Sequence, residues 1–182
     1  MNTPNKLIVH HTGGTDLNPL EDTSHHTAEM IKQWHVNGKG WQDIGYNWVI
    51  EKSGKIVKGR DEKIDGAHCL GQNSQSIGVC LSGNFDATLP TKEQIEAFKT
   101  FYKDLIKRYP NITPDKVYPH RKFPNKTCYG KKLSDTWASE LAKSAIEAKG
   151  EVKDGTPECE AMIKKERGTL IDRIIQFLLS LK

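Results

Sequence analysis

Residues 6–10 read KLIVH, an unbroken apolar run that closes on a histidine. Such a run, bounded by polar residues, predicts a buried strand. The segments downstream of it decide the architecture. Residues 11–25 are rich in Thr, Gly, Asp and His and predict a loop. From Thr27 the apolar residues Met30, Ile31 and Trp34 fall at helical spacing, and Asn37-Gly38 ends that helix. Tyr46–Glu51 and Lys55–Lys58 are β-rich and meet at Ser53-Gly54, which predicts a hairpin. Ser76–Leu81, SIGVCL, predicts a second buried strand. Thr91 and Gln94 have the spacing of a capping box, and Ile95, Phe98, Tyr102, Leu105 and Ile106 give the helix after them one apolar face as far as Pro110. A third helix is predicted from about Ser134 to Lys149, with Trp137, Leu141 and Ala145 inward. Strands alternating with helices indicate an α/β fold built on a central sheet.

The polar stretch Gly150–Pro157, GEVKDGTP, predicts a linker between a main domain over residues 1–149 and a helical extension over 158–182. In the extension Leu170, Ile171, Ile174, Ile175, Leu178 and Leu179 form a wide apolar face, interrupted upstream by Gly168. A segment this short cannot build its own core. Its basic residues are offset by Glu160, Glu166 and Asp172, unlike a strongly cationic membrane-surface helix. The expectation is that it packs on its own domain, with self-association as the alternative.

At 182 residues the chain has room for one ordinary domain and a small appendage. A net charge of +4 without an arginine-rich run gives no signature of nucleic-acid binding. No stretch is apolar enough to span a membrane, and MNTPNKLIVHH lacks the features of a signal peptide, so the expectation is synthesis and folding in the cytoplasm. In that compartment Cys69, Cys80, Cys128 and Cys159 read as thiols or metal ligands rather than as two disulfides.

A second stretch carries chemistry: HRKFPNKTC, residues 120–128. His120 and Cys128 close a loop whose proline helps it turn back, so both side chains can meet one Zn²⁺, for which imidazole and thiolate are suitable donors. A catalytic zinc needs a third protein ligand. A histidine at the end of the first strand is well placed to supply it, because a strand end aims its side chain rigidly. His10 and His11 both qualify, but neighbours on an extended chain point to opposite sides, so only one can reach the metal. Spacing alone does not choose between them.

Four separated stretches together resemble the zinc-dependent N-acetylmuramoyl-L-alanine amidases, a family that includes small phage amidases and peptidoglycan recognition proteins. They are IVHHTGG (8–14), IKQWHVNGKGWQDIGYNWVI (31–50), GRDEKIDGAHCLGQNSQSIGVCLSGNF (59–85) and PHRKFPNKTC (119–128), and the likeness covers roughly residues 6–145. The resemblance implies a central mixed sheet flanked by helices, peptidoglycan as partner, and Zn²⁺ held by His10, His120 and Cys128. It implies catalytic roles for Tyr46 and Lys126 and places His35 and His68 near the substrate groove. The chain departs from the pattern at Tyr129-Gly130, where many members have Pro-Gly. That changes the stiffness of the loop and removes no ligand.

The activity so implied is hydrolysis of the lactyl–alanine amide of peptidoglycan, as by a phage endolysin that reaches the wall after release from the cytoplasm. Two other readings remain. Recycling amidases that act on soluble anhydro-muropeptides usually carry an aspartate as third ligand. Binding-only relatives usually lack the cysteine. A small phage amidase of this type also binds its phage RNA polymerase, and nothing in the residues bears on such a partner here.

Overall fold

The computed structural model describes residues 2–123 and 127–147, a compact unit that ends at Glu147. The predicted linker and apolar extension, and Lys126, lie outside the described residues.

Five strands form one mixed sheet: β1 (Lys6–His11), β2 (Trp48–Ile50), β3 (Ile56–Lys58), β4 (Ser76–Leu81) and β5 (Val117–Pro119), in the order β3-β2-β4-β1-β5. β1 lies parallel to β4 and β5, and β2 lies parallel to β4 and antiparallel to β3. The helices are α1 (Ala28–Gln33), α2 (Lys92–Arg108) and α3 (Trp137–Glu147). The expected α/β architecture with a central mixed sheet is therefore present.

Period-two alternation divides the strands between two cores. Leu7, Val9, Ile77, Val79 and Leu81 face α2 and α3, where Phe98, Tyr102 and Leu105 meet Ala138, Ala142 and Ala145. On the opposite face Val49 packs with Ile44 and with Ala28 and Ile31 of α1. Residues Ile8, His10, Gly78 and Cys80 belong to this second face, which α1 covers only in part. The uncovered remainder is where the polar side chains gather.

The predicted capping box of α2 is formed: Thr91 Oγ1 accepts from the Gln94 amide and the Thr91 amide donates to Gln94 Oε1. Gln94 also does something its place in that motif does not announce. It is buried, and its Nε2 donates to the carbonyls of Ile50 and Ser82, tying the ends of β2 and β4 to the helix. Glu62 is a second buried clasp, accepting from Trp48 Nε1, Arg108 Nη2 and Tyr109 Oη.

Three features differ from the sequence expectation. β5 has only three residues and ends in proline, so no strand pattern betrays it. Proline is tolerated there because β5 is an edge strand. In α3 Ala145 is inward as expected, but its companions in the buried stripe are Ala138 and Ala142, while Trp137 and Leu141 pack half-buried at the margins. Alanine lets α3 approach closely, and the larger residues fill the flanks. Finally, α1 does not simply stop at Asn37-Gly38. It widens into a π-helical turn over Trp34–Gly38, closed by the Lys39 amide on the Trp34 carbonyl at 3.2 Å.

Replacing Gln94 with leucine removes the side-chain half of the capping box, takes the Nε2 donor from the Ser82 carbonyl, and leaves the Ile50 carbonyl with the Ser82 amide alone. The variant is expected to lose about 1–3 kcal/mol of stability in urea denaturation. A loss below roughly 0.5 kcal/mol, the scatter of neutral surface changes, would contradict the clasp.

Candidate metal centre and cleft

Parallel pairing aligns Leu7 with Val117, Ile8 with Tyr118 and Val9 with Pro119. One step further along both chains stand His10 and His120, whose ring centroids are 4.2 Å apart. His120 opens a 3₁₀ turn over His120–Lys122 immediately after the strand. The third donor arrives by the loop beyond that turn. Cys128 Sγ lies 3.8 Å from His10 Nδ1 and accepts the backbone amide of His11 at 3.3 Å.

Arg121 turns the chain back. Its amide donates to the Cys128 carbonyl, and its guanidinium donates to the carbonyls of Gly130 and Leu133, both at 2.6 Å, and to the Asp135 carboxylate. In the sequence it is one cation among several in a basic loop. Only the folded loop shows that the fork of Arg121 fits these carbonyls.

The ligand-forming atoms of His10, His120 and Cys128 lie within 4.8 Å of one another, and this is the group among the described residues able to hold a metal. Tetrahedral zinc with Zn–N of about 2.1 Å and Zn–S of about 2.3 Å needs donors roughly 3.3–3.8 Å apart. Two imidazoles and a thiol at this spacing fit Zn²⁺ with small side-chain adjustments. His11 takes no part. It points to the other face, where its Nδ1 accepts the Phe85 amide at 2.9 Å and burial lowers its pKa to about 4. Desolvation pushes the Cys128 thiol up to about 12, with the His11 amide acting in the opposite direction. A bound dication reverses that balance and favours the thiolate.

Tyr46 stands beside the cluster, its ring centroid 5.0 Å from that of His10. Burial, followed by the nearby Cys80 and Cys128 thiols, raises its pKa well above the ordinary phenol value, so it is a proton donor at neutral pH. A cleft of about 620 Å³ opens over Tyr46, bordered by His35, Trp34, Met30 and the 12–17 segment. His35 sits in the π-helical turn. It stacks on Trp41 at 4.6 Å, and its Nδ1 accepts the Gly45 amide at 3.2 Å. Burial lowers its pKa to about 4. Trp34, 58% exposed, forms the outer wall with Lys39 Nζ 4.4 Å from its ring centroid. His68 lies deeper than a groove residue. It is buried, its pKa is lowered to about 3 chiefly by desolvation, and its Nδ1 is 3.1 Å from His10 Nε2. Arg60 is committed to the carbonyls of Asp43, Ile44 and Asp65 and ties the hairpin region together.

Arg121→Lys keeps the charge but loses the planar fork. It is expected to weaken Zn²⁺ affinity by about 10–100-fold in chelator competition, the usual range for losing a residue that holds a ligand in place. Parent-like affinity would show that the loop closes without it.

Comparison with known proteins agrees with this geometry. A model of the family Amidase_2, N-acetylmuramoyl-L-alanine amidase, matches residues 1–131. Peptidoglycan-recognition protein SC2 of Drosophila melanogaster is 30% identical over 135 residues, covering 72% of this chain and 73% of that protein. The endolysin of Escherichia phage T7 is 34% identical over 113 residues, covering 59% of this chain and 72% of its own length. Among solved structures, the N-acetylmuramoyl-L-alanine amidase LysC from Clostridium intestinale superposes with a TM-score of 0.65 at 27% identity, over 80% of this chain and 87% of that one. A family model spanning most of the chain, relatives at this identity and a His-His-Cys cluster in the matched region lead to one conclusion: the chain belongs to the Amidase_2 family of N-acetylmuramoyl-L-alanine amidases.

Proposed function

We propose that the protein is a zinc-dependent amidase of the endolysin kind, which hydrolyses the amide between the lactyl group of N-acetylmuramic acid and L-alanine in peptidoglycan. The observation that carries this reading is the complete donor set. His10, His120 and Cys128 converge, with His10 beside Tyr46, which lines the cleft, so no ligand has been lost as in a binding-only module. The thiol in third place also separates it from the recycling amidases, which usually carry an aspartate there.

Zn²⁺ held by these side chains supplies a Lewis acid that acidifies water and polarises the scissile carbonyl. The chain supplies the rest. The cleft between Trp34 and the 12–17 segment orients the muropeptide. His35, fixed by Trp41 and the Gly45 amide, presents a neutral edge to it. Tyr46, protonated at neutral pH, donates a hydrogen bond to the oxygen on which negative charge develops. Lys126 is assigned the second charge-stabilising role there.

Incubation of the zinc-loaded protein with purified sacculi should release peptides that begin with a free L-alanine amine and leave the glycan strands uncut, as read by mass spectrometry. Chelation should abolish the release and added Zn²⁺ restore it. Tyr46→Phe should keep its zinc and lose turnover by about 10²–10³-fold. His10→Ala should lose the metal, and His11→Gln should retain it. Undiminished cleavage by metal-free protein, or binding to sacculi without cleavage by the zinc-loaded form, would overturn the assignment.

A further inference from the structure

His68 is held more firmly than a cleft residue needs. Its ring lies against β4 at Gly78 and is flanked by Gly66. A Cβ at either glycine would come within 2.5 Å of the imidazole. Glycine weakens the middle of a buried strand, so its presence in SIGVCL calls for a close neighbour, and His68 is that neighbour. The backbone around it is fixed as well, because Asn73 Oδ1 accepts the amides of both His68 and Cys69, at 3.0 and 2.9 Å.

The hydrogen bonds through this ring have a single direction. Ser76 Oγ lies 2.8 Å from the Gln72 carbonyl, which can only accept, so the hydroxyl donates there. With its proton committed, Ser76 Oγ meets His68 Nε2 at 3.5 Å as an acceptor. His68 therefore carries its proton on Nε2 and a lone pair on Nδ1. That lone pair faces His10 Nε2 at 3.1 Å, so His10 must donate. In the neutral ring the remaining nitrogen of His10, Nδ1, holds a lone pair on the side of Cys128 Sγ, 3.8 Å away.

We propose that His68 and Ser76 are positioning residues: the chain His10 → His68 → Ser76 → Gln72 carbonyl fixes the tautomer of His10, so that Nδ1 is presented to the metal as a ready donor. The inference rests on the reading of His10 as a ligand, and not on any activity toward peptidoglycan. Metal-ligating histidines commonly donate their second ring N–H to such a partner, which raises their basicity and holds the ring plane. Here the partner is a second neutral histidine. Its own direction has to be set, and Ser76, through the Gln72 carbonyl, sets it. Without the Ser76 hydroxyl, His68 can reverse, placing its proton on Nδ1 and forcing the proton of His10 onto the nitrogen that should bind metal.

The test uses the full chain, stripped of metal and labelled with ¹⁵N-histidine. Long-range ¹H–¹⁵N correlation spectra report which ring nitrogen carries the proton. The expected result is Nε2–H for both His10 and His68 in the parent. Nδ1–H on either residue overturns the proposal without recourse to any variant. In Ser76→Ala the two rings should show mixed tautomers, and Zn²⁺ affinity by chelator competition should fall about 10-fold or more. Unchanged tautomers and parent-like affinity in that variant also overturn it. If Ser76→Ala does not fold, the spectrum of the parent decides alone. Neither readout involves cleavage, so an inactive but zinc-binding protein would refute the amidase reading and leave this one standing.

Discussion

The site depends on the pairing of β1 with β5. Three residues of parallel register, ending at Val9 and Pro119, place His10 and His120 side by side at the ends of their strands. A slip of one residue would turn one imidazole to the opposite face, because side chains alternate along a strand. The register is held from several directions. β1 is central, paired with β4 along its whole length, and its core-facing residues are locked under α2 and α3. β5 contributes little area itself. It is positioned by β1 on one side and by α3, whose alanines let it pack close. The helices on one face of the sheet thus determine the geometry of the donors on the other.

The third donor obeys a different constraint. Cys128 is not on the sheet; it packs against the margin of the core and is held there by hydrogen bonds. Arg121 binds the carbonyls at Gly130 and Leu133, and its amide binds the Cys128 carbonyl. The His11 amide then meets the thiol. The adjacent histidines of β1 divide the work by alternation. His10 serves the cleft side, and His11 anchors the 82–85 turn through the Phe85 amide while its own amide steadies the sulfur. Burial keeps His11, His35 and His68 neutral, so the surroundings of the metal centre add no cationic histidine to compete with a dication.

Much of this is legible in the sequence, and the exceptions have physical reasons. KLIVH and SIGVCL read as buried strands because their runs are apolar and bounded, and Thr91 with Gln94 read as a cap because that motif is local. β5 does not read at all, since three residues ending in proline carry no periodic signal. In α3 periodicity finds Ala145, but size favours Trp137 and Leu141 over Ala138 and Ala142, which close helix packing selects. The choice between His10 and His11 is out of reach of spacing. Alternation says that they diverge, but which one faces the cleft depends on which side of the sheet the later helices cover. The resemblance to known amidases supplies that choice, and the observed cluster contains His10 and not His11. Gln94 in its second role, Glu62 and Arg121 act through partners outside any local motif, so their residue types alone give no sign. Gly78 does leave a sign, an unexplained glycine in a buried strand, whose meaning appears only with His68 against it.

The central claim is that two strand-end imidazoles and one loop thiolate bind a single zinc ion. X-ray absorption at the zinc edge of the loaded protein measures that directly. The account predicts one sulfur at about 2.3 Å, and nitrogen or oxygen donors at about 2.0–2.1 Å completing four-coordination, with the outer-shell scattering of two imidazoles. A shell without sulfur, or with the imidazole scattering of a single histidine, would contradict it.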